Sequence, residues 1–102
     1  MPVWTVAIDV LEDARGTLTF YGFIIEEAIQ SAGFACWILR SAGKNEEAAE
    51  KAQWCINELC LPAIDFFKKW GHITFPMNQA YLAFYEASIR TMETYIQVAE
   101  SK

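Results

Sequence analysis

Basic side chains are scarce in this sequence, and their scarcity excludes two classes of partner. The chain has 8 Lys and Arg residues against 13 Asp and Glu residues, a net charge of -5. A sequence-independent nucleic-acid binder needs cationic side chains to displace the counterions of the phosphate backbone. An amphipathic helix that lies on a membrane surface needs them as well. We therefore expect no nucleic-acid partner and no membrane partner.

Metal-binding motifs are absent. The three cysteines, Cys36, Cys55 and Cys60, have neither C-x-x-C nor zinc-ligand spacing. Each lies in an apolar helical pattern, so we expect three buried small side chains, although a disulfide from Cys36 to Cys55 or Cys60 stays open. No Glu-x-x-His motif, the signature of di-iron helical bundles, is present. We predict no metal and no cofactor.

Catalytic motifs are also missing. The sequence has no Gly-rich phosphate loop after a strand and no Ser-centred nucleophile elbow. His72 is the only histidine, and a general base needs a positioned partner and a cleft. We predict that the protein is not an enzyme.

Long uncharged apolar runs are missing too. Acidic residues follow the first few apolar residues, before a signal-peptide core could form. The most apolar window is interrupted by Glu26, Glu27 and Gln30, which disfavours a membrane span. These features predict a complete, cytoplasmic chain.

The sequence is instead rich in apolar residues at helical spacing. Hydrophobic residues make up 54% of its 102 residues, which suits one folded domain over 1–102. The periodicity predicts an all-α antiparallel bundle of three long helices plus a short N-terminal helix. We place the short helix at 4–15 and the long helices at 17–42, 46–70 and 79–100. Pro62 lacks a backbone donor, so it predicts a kink in the third long helix.

Each predicted helix has an apolar stripe that should face the core. The stripes comprise Trp4, Ala7, Ile8 and Leu11 in the short helix; Leu18, Tyr21, Ile25, Ala28, Ala32, Ala35 and Leu39 in 17–42; Ala48, Ala52, Cys55, Leu59, Phe66 and Trp70 in 46–70; and Tyr81, Tyr85, Ser88, Met92, Tyr95 and Ala99 in 79–100. Gly43 and Asn45 should end and cap the flanking helices, and Asn78 should cap the last one.

The helix over 17–42 has a second face in which aromatic and polar residues mix. Phe23, Gln30 and Trp37 recur every seven residues, with Phe34 and acidic residues between them. Aromatic residues among a few polar groups are typical of protein interfaces and of ligand pockets. The simpler alternative is that the short N-terminal helix covers this face. On 46–70, Trp54 and Leu61 project from the polar side as a second candidate contact surface.

Two hypotheses of function follow. The first is a non-enzymatic helical bundle that forms a homodimer or larger oligomer, and could contact a heterologous protein, through Phe23, Gln30, Phe34, Trp37, Trp54 and Leu61. The alternative is a small-ligand or divalent-metal-binding bundle that uses Glu26, Glu27 and Glu58 with nearby aromatic residues.

Overall fold

The computed structural model describes the backbone of residues 3–101 and the side chains of residues 10–101. Over this range the chain is all-helical, which confirms the predicted fold class. The elements are α1 (Val3–Ser41), α2 (Asn45–Cys55), a π-helical turn (Ile56–Cys60), α3 (Leu61–Trp70), a 3₁₀ turn (Gly71–Thr74) and α4 (Met77–Glu100).

A single helix, α1, replaces the predicted short helix and the predicted helix over 17–42. It runs for 39 residues without a break at Gly16, so the prediction of a separate N-terminal helix is wrong. An internal glycine costs only about 1 kcal/mol relative to alanine, which is not enough by itself to end a helix. The predicted stripe residues Trp4, Ala7 and Ile8 lie outside the described side chains; Leu11 is 55% exposed.

The length of α1 gives the molecule its shape. At a rise of 1.5 Å per residue, α1 is about 58 Å long, and the molecule measures 66 × 18 × 17 Å. The 24 residues of α4 span only about 36 Å. The first turns of α1 therefore extend past the end of the bundle, and Val10 in this extension is 62% exposed.

The core lies where α1, the α2–α3 arm and α4 meet. Its largest fully buried side chains include Tyr85, Phe67, Ile29 and Met92. The predicted stripe of α4 is confirmed, because its members from Tyr81 to Tyr95 are all buried. In α1 the buried positions are Gly22, Ile29, Ala32 and Cys36, whereas predicted members such as Tyr21 lie at the margin.

The π-helical turn shifts the buried face of the second arm. Ala48, Ala52 and Cys55 are buried as predicted, but after the turn the buried positions are Cys60, Ala63 and Phe67. A π turn accommodates one extra residue, so every later side chain moves by one position around the helix. This shift explains why Phe66 is only partly buried and Trp70 is 46% exposed.

Pro62 lies in the first turn of α3, directly after the π turn. Proline is tolerated there because that backbone position needs no hydrogen-bond donor. The π turn is therefore the local irregularity that accompanies the proline, and the kink at Pro62 stays a prediction.

The helix ends are only partly as predicted. Gly43 has the left-handed φ of 78° expected after a helix, and the Lys44 amide donates to the Leu39 carbonyl at 2.8 Å. Asn45 and Asn78 were predicted as caps, but each already lies inside its helix, and neither helix start has a side-chain cap. The backbone turns that precede α2 and α4 determine where these two helices begin.

Candidate interaction surface on α1

The face of α1 opposite the core is apolar and open to solvent. Six large hydrophobic residues on it are between 46% and 65% exposed. They are Phe20, Phe23, Ile24, Phe34, Trp37 and Ile38. We call these residues, together with Glu27, Gln30 and Ser31 between them, the aromatic face. Single exposed hydrophobic residues are common on proteins, but a contiguous set along one helix is typical of an interaction site.

The aromatic face repeats every seven residues along α1. Its three layers are Phe20-Phe23-Ile24, Glu27-Gln30-Ser31 and Phe34-Trp37-Ile38. A seven-residue repeat keeps side chains on one slowly turning stripe, which is the geometry of helices that pair along their length. The face thus has an apolar layer at each end and a polar layer in the middle.

Both apolar layers are organised by contacts within the chain. The rings of Phe34 and Trp37 lie with centroids 6.0 Å apart and planes inclined by 25°. At the other end, Phe20 and Phe23 line a groove that also includes Arg15, Thr19 and Tyr81. The Tyr81 hydroxyl donates to the Thr19 carbonyl at 3.1 Å, so α4 forms one wall of that groove.

The opposite side of α1 is anchored to α4 by a buried tyrosine. The hydroxyl of Tyr85 donates to the carbonyl of Gly22 at 2.9 Å. Burial raises the pKa of Tyr85, and the nearby Tyr81 and Glu26 raise it further. Glycine at position 22 also lets α4 pack closely against α1, because a Cβ there would lie 2.6 Å from a ring carbon of Tyr81. These contacts fix which face of α1 points outward.

All six residues predicted from the sequence to form an interface are exposed. Phe23, Gln30, Phe34 and Trp37 lie together on the aromatic face. Trp54 and Leu61 are each about half exposed but lie in separate shallow grooves of the second arm. Trp54 is covered in part by the Lys51 ammonium, 5.3 Å from its ring centroid.

Three residues of the face were missed from the sequence, namely Phe20, Ile24 and Ile38. Phe34 follows Phe20 by 14 residues and Ile38 follows Ile24 by 14 residues, and this double seven-residue spacing could have revealed them.

The carboxylates of the alternative hypothesis occupy different environments. Glu26 is partly buried and close enough to Tyr81 to raise its pKa, after the larger effect of burial. Glu27 is exposed within the aromatic face, and Glu58 is exposed in the π turn. Over the described residues no three Asp, Glu, His or Cys side chains are grouped as a metal site. Ligand binding through these residues stays a prediction.

The three cysteines are buried, Cys36 on α1, Cys55 at the end of α2 and Cys60 in the π turn. Cys36, Cys55 and Cys60 are all free and 0% exposed, in agreement with the prediction of buried small side chains. Burial raises the pKa of the Cys36 thiol, and Cys55 adds to the effect. A hydrogen bond between the thiols of Cys55 and Cys60 raises the pKa of Cys55 and lowers that of Cys60.

The apolar character of α1 is also compatible with cellular locations other than the predicted cytoplasm. The part Val10–Ser41 contains an 18-residue window with a mean hydropathy of 1.2, of which 22% is buried, so by length and composition it could cross a membrane. Core helices of soluble proteins and N-terminal signal sequences satisfy the same criterion. Cytoplasmic localisation and the absence of a membrane partner therefore stay predictions.

Comparison of the chain with protein-family models, with curated proteins and with solved structures gives no match. The aromatic face is therefore the feature of the molecule that indicates a function.

Proposed function

We propose that this protein is a non-enzymatic helical bundle that acts by self-association, and that a second copy of the chain covers the aromatic face. The observation that carries the proposal is the exposure of six large apolar residues along one side of α1, the element with the longest surface.

The area of the face suits a dimer. A fully exposed aromatic side chain offers roughly 200 Å², so the four aromatic residues of the face, at about half exposure, contribute about 400 Å² per chain, and the two isoleucines add to this area. A standard protein–protein interface buries about 800 Å² per partner. The polar layer of Glu27, Gln30 and Ser31, which is also exposed, supplies much of the difference.

The pattern of the face also favours another helix as its partner. Seven-residue repeats match a second helix of the same spacing, whereas a small ligand needs a concave site. A second α1 offers the same repeat, the same length and the same apolar ends. The proposal therefore needs no partner other than this chain.

Sedimentation velocity at tens of micromolar tests the proposal directly. We expect the wild-type protein to sediment as a dimer or larger oligomer. Trp37→Glu or Phe34→Glu should shift it to monomer, since an aromatic hot-spot contact contributes about 2 kcal/mol or more, roughly a thirtyfold change in Kd. The helical circular dichroism signal should be unchanged, because both residues point away from the core.

Met77→Glu is the matched control. Met77 is 44% exposed at the start of α4 and is not a member of the aromatic face, and the substitution adds the same charge. It should leave the oligomer intact. A monomeric wild-type protein at these concentrations, or dissociation by Met77→Glu as readily as by Trp37→Glu, contradicts the proposal. Recovery of the protein only from detergent-solubilised membranes contradicts it as well.

A further inference from the structure

We infer that the two copies pair antiparallel along α1, with a twofold axis at the polar middle layer of the aromatic face. This inference rests on the proposed self-association and adds its geometry. It follows from the order of the layers, from the charges that each orientation would bring together and from the unequal lengths of the helices.

The layers are symmetric about their centre. The polar layer is centred near Ile29, with one apolar layer about seven residues before it and the other about seven residues after it. A twofold axis perpendicular to α1 at this height brings Phe20 level with the partner's Ile38, and Ile24 level with the partner's Phe34. Every apolar group of the face then meets an apolar group, and the face is self-complementary as a twofold interface requires.

Charge distinguishes this arrangement from a parallel one that also pairs apolar layers. In a parallel pair, Glu27 would face the partner's Glu27, and Asp13, two heptads earlier on the same stripe, would face its own copy. Like charges facing each other in an interface are costly. In the antiparallel pair, Glu27 is level with the partner's Ser31, whose hydroxyl can donate to the carboxylate, and the two Glu27 residues are offset from each other by four residues, about 6 Å along the helix.

The extension of α1 gives a second charge argument. Because α1 is longer than α4, its first turns project beyond the bundle, with Glu12 and Asp13 exposed on them. The antiparallel axis brings these two carboxylates to the height of the partner's exposed Lys44, just after the end of the partner's α1, where Glu46 and Glu47 are exposed as well. The parallel pair brings acidic extension against acidic extension. A rim of mixed charge opposes pairing less than two facing acidic extensions do, which favours the antiparallel orientation.

Distances between spin labels distinguish the two orientations. A label at Glu12→Cys lies about 17 residues from the axis, so antiparallel copies place the two labels about 50 Å apart at 1.5 Å per residue. Parallel copies place them within about 15 Å, since paired helices lie 8–10 Å apart. A label at Ser31→Cys should give a short distance in both cases, and therefore reports whether the aromatic face is the interface at all.

The wild-type chain is the labelling control, because its three cysteines are buried and should not react. A long Glu12→Cys distance with a short Ser31→Cys distance supports the inference. Short distances at both sites overturn the antiparallel geometry but leave the proposed self-association intact. A dimer with a long Ser31→Cys distance, or no dimer, overturns both.

Charge exchange provides an independent measurement on unlabelled protein. Lys44→Glu should weaken dimerisation about two- to fivefold, as expected for loss of an exposed ion pair. Adding Asp13→Lys in the same chain should restore it, because the exchanged charges again face each other across the dimer. A double variant that dimerises no better than Lys44→Glu alone contradicts the antiparallel register.

Discussion

Two glycines of α1 lie in opposite environments, and replacing each with alanine tests the fold with an internal control. At Gly22 an added Cβ would lie 2.6 Å and 2.7 Å from ring carbons of Tyr81 and 3.0 Å from Phe67 Cζ. At Gly16 the same Cβ would meet nothing within 4 Å. Both residues are inside one continuous helix, so the change in helix propensity is the same for the two substitutions.

The expected changes in the free energy of unfolding have opposite signs. Alanine inside a helix is favoured over glycine by about 1 kcal/mol, so Gly16→Ala should stabilise the protein by about that amount. At Gly22 the same gain in helix propensity is offset by a steric clash. The added Cβ would lie about 0.8 Å closer to a Tyr81 ring carbon than an ordinary van der Waals contact, and the buried Phe67 ring is also close. Overpacking of a core costs about 1–3 kcal/mol, so Gly22→Ala should be destabilising by up to about 2 kcal/mol after the propensity gain.

Urea unfolding monitored by circular dichroism at 222 nm measures both changes. Protein concentration must be equal in all samples, since self-association adds to apparent stability. If Gly22→Ala is as stable as wild type, α1 and α4 do not approach as closely as described. If Gly16→Ala is neutral or destabilising, α1 is not helical through residue 16 and the N-terminal segment is separate after all.

Two further predictions concern buried polar groups. Tyr85→Phe removes the hydrogen bond to the Gly22 carbonyl and should cost about 1 kcal/mol. The pKa of Tyr85 is higher in the folded protein than in the unfolded chain, where it is about 10. The stabilisation by Tyr85 is therefore complete below about pH 10 and decreases as the pH rises above that value. In urea titrations between about pH 9 and 11, the wild type should lose more stability than Tyr85→Phe. Cys36, Cys55 and Cys60 should not react with a thiol reagent in the native protein at pH 8 but should react fully in denaturant; rapid native labelling contradicts their burial.

The sequence by itself determined the helical class and the interior of α4. The period of the apolar residues from Tyr81 to Tyr95 was sufficient, because α4 has neither glycine nor proline and keeps one helical phase throughout. The buried state of the three cysteines followed from the same period. The exposed positions of Phe23, Phe34 and Trp37 were also identified as a separate face.

Only the tertiary structure decided how these helices are divided and which faces they bury. A glycine permits a break but does not require one, so the sequence alone left the continuity of α1 through Gly16 undecided. The π turn before Pro62 adds one residue to the helix, so the buried positions continue from Cys55 to Cys60 and Phe67. A prediction that uses a fixed period of about 3.6 residues cannot include this offset. Because α1 continues through Gly16 where a separate short helix was expected, the N-terminal segment extends beyond the bundle and the aromatic face stays open to solvent.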